Sequence, residues 1–297
     1  MDCFANVKGH PVHYVEYGEG KPVLNIHGYE VDYRMMSGCL EPVFEKKDGY
    51  RRIYVDLPGM GQTPPGELKS ADDWLNLLDG FIDEVIGKEH FLLTGQSYGC
   101  YLQLGLIYKR GSQIDGCFFI APCTIAKRAP RQLPVKQFIE QDKKFLDTLQ
   151  ENGKEDYLDW SVILNKKTWR IFERDMYCGM KLFDPEYLDF IAANGYELSM
   201  EKEFDDMVFE GPCCWVMARQ DQFVGCKDQW RFLDHFPRSA YIVLDGCGHN
   251  MPIEKEDLFY LLVEDWLYRL EKLQPIEYFP DWKVLPAVER DAWKKRK

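Results

Sequence analysis

The residues best suited to chemistry lie at positions 95–99, where Gly95-Gln96-Ser97-Tyr98-Gly99 follows the apolar run Phe91-Leu92-Leu93 and precedes Tyr101-Leu102-Gln103-Leu104-Gly105-Leu106-Ile107. The first run predicts a buried strand and the second a helix, with Ser97 on the tight turn between them. A serine so placed has strained φ/ψ and needs neighbours with almost no side chain, which Gly95 and Gly99 provide. In this setting the pattern G-x-S-x-G pushes the hydroxyl out at the carboxyl end of a sheet and aims the next backbone amide, that of Tyr98, at a reacting carbonyl. The helix dipole at that point also favours a developing oxyanion. Two further candidates lie downstream. Asp221 follows the predicted strand Cys213 to Ala218, and a carboxylate in such a loop is well placed to hold a histidine. His249 lies in Asp245-Gly246-Cys247-Gly248-His249-Asn250, after the last predicted strand, Ser239 to Leu244. The two glycines let that loop bend back over the serine.

These three loops need a frame, and the chain supplies a regular one. Residues 3 to 17 alternate around Lys8-Gly9, which predicts an antiparallel hairpin. Pro22 to Ile26 predicts a strand that runs into His27-Gly28-Tyr29, followed by a helix over about Tyr33 to Lys46. The role expected of His27 is to pack and hold this loop. Arg51 to Val55 is the next strand and ends in the proline- and glycine-rich loop Asp56 to Thr63, where Asp56 is expected to organise the turn. A helix capped by Ser70 and stopped at Gly87 carries Trp74, Leu77, Leu78, Phe81, Ile82 and Val85 at helical spacing. Ile114 to Ala121 is a further strand. This alternation implies an α/β fold, a mostly parallel sheet with helices on both faces.

After Pro122 the rhythm breaks. From there to Asp206 no strand is evident, charges and large aromatics are dense, and the expectation is a helical cap at 122–206 inserted into a core formed by 1–121 and 207–274. Pro252 opens a closing helix with Leu258, Leu262, Trp266, Leu270 and Leu273 assigned to its buried face. The tail 275–297 contains Trp282 and Trp293 and ends in Lys294-Lys295-Arg296-Lys297, which suits a solvated terminus.

Composition narrows the function. A net charge of -12 argues against nucleic-acid and anionic-membrane surfaces, which select for basic patches. No apolar run spans a bilayer, and Met1 to Asn6 lacks a basic region followed by an apolar core, so a cytoplasmic protein is expected. The ten cysteines show no C-x-x-C spacing and are expected to be reduced thiols. For His10 and His13, a strand carrying two surface histidines is preferred to a metal site. No metal or cofactor is expected, and the partner is a small-molecule substrate.

The order Ser97, Asp221, His249, together with the turn at 95–99, the His27-Gly28 loop and a cap inserted after the following strand, resembles the α/β-hydrolase superfamily over residues 1 to about 273. The resemblance implies that Ser97 attacks an acyl carbonyl and that His249 takes its proton and later protonates the leaving group. Asp221 would fix the imidazole tautomer, and the amides of Tyr29 and Tyr98 would form the oxyanion hole. Cap aromatics such as Trp160, Trp169, Phe172, Tyr177 and Phe183 are candidates to line the pocket, although each also suits the cap's own core. Two positions depart from the commonest pattern: Cys100 is larger than the residue usual after the second glycine, and position 123, an acid in some members, is cysteine. Serine rather than aspartate at 97 disfavours epoxide and carbon-halogen chemistry. A serine hydrolase of small or medium esters is the leading expectation. An amidase or carbon-carbon bond hydrolase on the same residues, and a non-catalytic binding protein of this fold, remain open.

Overall fold

A computed structural model describes residues 1–150 and 153–272. The tail at 275–297, and Leu273 of the closing helix, lie outside the described residues.

Eight strands form one sheet: β1 (Asp2–Val7), β2 (His10–Tyr17), β3 (Lys21–Ile26), β4 (Tyr50–Val55), β5 (Phe91–Gln96), β6 (Ile114–Ile120), β9 (Cys213–Ala218) and β10 (Ser239–Leu244). Their spatial order is β1-β2-β4-β3-β5-β6-β9-β10. Only β1 against β2 and β2 against β4 are antiparallel. The other neighbours run parallel. The opening hairpin turns through Lys8 and Gly9, both with positive φ, a geometry that suits the right-handed twist of paired strands.

Four helices cover the two faces. They are α1 (Tyr33–Phe44), α2 (Ala71–Val85), α3 (Tyr98–Arg110) and α10 (Glu256–Lys272). Helix α1 packs with α10, and α2 packs with α3. Ser70 caps α2 by accepting from the Asp73 amide, and Asp32 caps α1 in the same way for Arg34. Because strand side chains alternate, neighbouring residues of β6 serve opposite layers. Phe118 meets Phe259 and Trp266 of α10, whereas Phe119 stacks on Trp215 with ring centroids 3.8 Å apart. The face α10 buries carries Phe259, Val263, Trp266 and Leu267, while Leu258 is 41% exposed. Of the expected stripe, Trp266 is fully buried and Leu262 and Leu270 are partly buried against the core, whereas Leu258 lies off it. Leucines flank both sides of the true stripe, so spacing alone could not separate them.

The segment between β6 and β9 is less helical than expected. Residues 122–139 are irregular, in keeping with Pro122, Pro130 and Pro134, which cannot donate to a helix ladder. Arg131 organises this stretch by donating to the carbonyls of Ile125, Ala126 and Phe223. Beyond it come β7 (Glu140–Gln141), α4 (Lys143–Leu146), α5 (Lys154–Trp160), β8 (Ile163–Leu164), α6 (Lys166–Phe172), a π-turn at Glu173–Tyr177, α7 (Cys178–Met180) and α8 (Pro185–Asn194). Strands β7 and β8 pair in parallel, a two-residue ribbon where no strand was expected. The helix α9 (Met251–Glu254) follows the His249 loop. No helix among the described residues is long and apolar enough to cross a membrane.

Candidate active site

The serine turn forms where β5 gives way to α3. Ser97 has φ 52° and ψ -116°, a conformation costly for a non-glycine residue, of order 1–3 kcal/mol. Three backbone hydrogen bonds hold it there: Ser97 N–H donates to Ile120, and the Ser97 carbonyl accepts from Cys100 and Cys123. Gly99 is required by close approach, since a Cβ there would lie 2.2 Å from the Ile26 carbonyl oxygen. Cys100 fits beside it because its thiol points at the Gly95 carbonyl, 2.9 Å away. The Tyr98 N–H, first in α3, is among those without an intrahelical acceptor.

His249 and Asp221 meet behind this turn. The His249 Nδ1 lies 2.7 Å from Asp221 Oδ2, and both residues are buried. The other Asp221 oxygen accepts from the Phe223 and Val224 amides at 2.9 and 3.0 Å. An ionised carboxylate only accepts, so the imidazole proton resides on Nδ1 and Nε2 keeps its lone pair. The Gln96 side-chain amide donates toward that Nε2 at 3.2 Å. Asp245, the other acid near the histidine in sequence, instead accepts from the Gln220 side chain.

A cavity of about 980 Å³ opens over these groups, with Ser97, His249, Tyr29, Trp160, Tyr196 and Phe223 in its wall. Trp160 stacks on Phe223 at 4.8 Å, and both rings lean on the His249 imidazole. Of the five aromatics assigned to the pocket from sequence, Trp160 lines it and the other four do not. Trp169 and Phe172 pack on Tyr157, with Tyr177 stacked on Phe172, and Phe183 packs against the protein core. Helical spacing marks a side chain as buried without saying which of two apolar surfaces it meets. The rings of Tyr29 and Tyr98 meet edge to face, and the Tyr98 hydroxyl donates to the Tyr196 carbonyl. Gln96, Tyr196 and Phe223 were missed in the sequence. Gln96 lies inside the G-x-S-x-G motif and Phe223 two residues after Asp221, so proximity was a usable signal for both; Tyr196 carried none.

The surrounding loops are held by buried polar groups. His27 donates from Nδ1 to the Gly28 carbonyl and accepts the Leu57 amide at Nε2, and burial pushes its pKa down, consistent with a neutral packing residue. Asp56 accepts from the amides of Tyr33 and Gln62 and from His13. His13 is fully buried between Asp56 and Asp2, which corrects the expectation of a surface histidine. No cluster suited to a metal ion occurs among the described residues. Cys123 lines the cavity, and burial raises its thiol pKa to about 11. Burial, then Asp189 and Asp156, raise that of Glu30.

A parallel sheet with an antiparallel start, a strained serine after its central strand and a histidine-carboxylate pair from its last two loops define an α/β hydrolase. The model of the alpha/beta hydrolase family matches residues 26–260, and the chain belongs to that family. It is 24% identical over 260 residues to a pimeloyl-[acyl-carrier protein] methyl ester esterase of Legionella pneumophila, spanning 86% of this chain and 99% of that protein. Its fold is similar to that of an alpha/beta superfamily hydrolase from Oenococcus oeni, with a TM-score of 0.84, 26% identity and coverage of 91% of this chain and 100% of the other. It also resembles an esterase from Exiguobacterium antarcticum, with a TM-score of 0.68 at 15% identity, covering 90% and 99% of the two chains.

Proposed function

We propose that this chain is a serine hydrolase that cleaves a small or medium carboxylic ester through an acyl-enzyme. The observation that carries the reading is the His249–Asp221 contact of 2.7 Å on the wall of the cavity into which the strained Ser97 opens. In this mechanism His249 Nε2 takes the Ser97 proton as Oγ bonds to the acyl carbon, and the amides of Tyr29 and Tyr98 stabilise the oxyanion. Gln96 must yield its contact with Nε2 to the serine. Collapse of the tetrahedral adduct breaks the bond to the alkoxy group, which leaves with the proton from His249. Water, deprotonated by the same nitrogen, then attacks the acyl-enzyme and releases the acid. Asp221 stabilises the imidazolium in each half-reaction. The cavity volume suits a drug-sized substrate, and the esterase among the relatives supports ester chemistry. On this reading 1–121 and 207–274 form the catalytic core and 122–206 a cap that supplies Trp160 and Tyr196 to the substrate. The test is labelling with a fluorophosphonate followed by peptide mapping, alongside a screen of p-nitrophenyl esters, amides and aryl diketones. A single adduct on Ser97 and preference for esters are expected. Absence of labelling, or an adduct elsewhere, overturns the mechanism.

A further inference from the structure

Glu254 ends α9, five residues beyond His249, and is buried. Its carboxylate makes no ion pair among the described residues and is satisfied by backbone alone. Oε1 accepts from Val162 at 2.6 Å and from Ile163 at 3.1 Å, and Oε2 accepts from Gly248 at 2.6 Å. The first two donors follow Trp160 in the segment over the cavity; the third immediately precedes His249. Burial raises the Glu254 pKa and the three N–H groups hold it down, with Asp221 a further upward influence. Tyr157 and Cys247 also feel its charge.

We propose that Glu254 is a positioning residue that ties the segment 160–163 to the His249 loop, so that the wall of the cavity and the imidazole hold their places as one unit. This rests on the reading of Ser97 and His249 as catalytic. A carboxylate without a cation is costly to bury, and here the cost is offset only because donors from two separate segments each need an acceptor. The seam is continuous around it. Asn250 donates to Ser161, and the Val162 side chain packs so closely that a Cβ on Gly248 would meet it at 2.9 Å. Trp160 completes the seam against the imidazole ring.

Glu254→Gln leaves one acceptor oxygen where two are used, so the side chain can serve the cap segment or the histidine loop but not both. With a small p-nitrophenyl ester, kcat should fall about 10- to 100-fold, the scale of a slightly misplaced catalytic group, while KM changes far less. A folded variant with unchanged kcat, or one in which KM rises while kcat holds, would overturn the proposal. Should the variant not fold, hydrogen exchange on the wild-type chain decides: peptides covering 160–164 and 246–250 should lose protection together, and independent opening overturns the coupling. Failure of the wild type to label at Ser97 would instead count against the hydrolase reading, leaving the exchange result to stand alone.

Discussion

Asp221→Asn changes one atom and should silence the site without disturbing the fold. The carboxylate accepts from three donors, the amides of Phe223 and Val224 on one oxygen and His249 Nδ1 on the other. Asparagine fills the same space with a single oxygen. Turned toward the two amides, it places its NH2 against His249 Nδ1 and drives the imidazole proton onto Nε2. Turned the other way, it sets its NH2 against two backbone donors. An unmet buried donor costs about 1–3 kcal/mol. Two of them favour the first orientation by about 2 kcal/mol or more, roughly 30-fold at the lower limit. In that orientation Nε2 cannot accept the Ser97 proton. On the proposed mechanism, reversal of this tautomer should lower kcat by about 10⁴-fold, or about 5.4 kcal/mol of barrier. KM should move little, because Asp221 is buried behind the histidine and does not line the cavity. Steady-state hydrolysis of p-nitrophenyl butyrate, with a thermal melt to establish folding, measures both quantities. A folded variant within tenfold of wild type, or greater damage from Asp245→Asn, refutes the reasoning.

Ser97→Ala should reduce turnover by about 10⁴- to 10⁶-fold with the melting temperature retained, and residual activity near that of wild type would exclude Ser97 as nucleophile. Trp160→Ala should alter preference among acyl or leaving groups, one methylene of contact being worth about 1–3 kcal/mol of discrimination. Phe172→Ala should instead cost about 3–5 kcal/mol of stability with selectivity unchanged, checked by denaturant midpoints and an ester panel. His13 is subject to the opposing effects of burial, which lowers its pKa, and of Asp56 and Asp2, which outweigh it and raise the pKa above 6.5. A raised folded pKa contributes stability that is full below the unfolded value and lost as pH rises through the folded one. The stability gap between wild type and His13→Gln should therefore be wider at pH 6 than at pH 9 in urea titrations, and a gap that widens with pH would contradict this.

What could be read in advance followed physical regularity. Strand runs such as Leu92-Leu93 and the period of α2 are local signals, and the fold inherits their order. Gly95 and Gly99 exposed the serine turn because close backbone approach demands glycine wherever it occurs. Other features depend on long-range partners. His13 looked superficial because its two carboxylates lie at positions 2 and 56. Glu254 gave no local sign of its contacts because two of its three donors, Val162 and Ile163, lie far earlier in the chain. The irregularity of 122–139 was legible in Pro122, Pro130 and Pro134, but its path was not, because its organiser, Arg131, acts through carbonyls, which every residue possesses. Trp160 could not be told from Trp169 by type or spacing, since one meets the cavity and the other Tyr157.

The direct pairing of β6 with β9, in register from Cys117 opposite Cys213, has a bearing on how such a chain can change over time. The sheet closes across residues 121–212 without asking that segment for a strand. For a flexible connection the entropy of closure grows only logarithmically, so doubling its length costs about 0.6 kcal/mol. Insertions or replacements there are cheap for the frame that carries Ser97, Asp221 and His249. What an exchanged segment must preserve is narrow: the amide where Cys123 now stands, which holds the Ser97 carbonyl, and the pair at Val162 and Ile163, which meet Glu254.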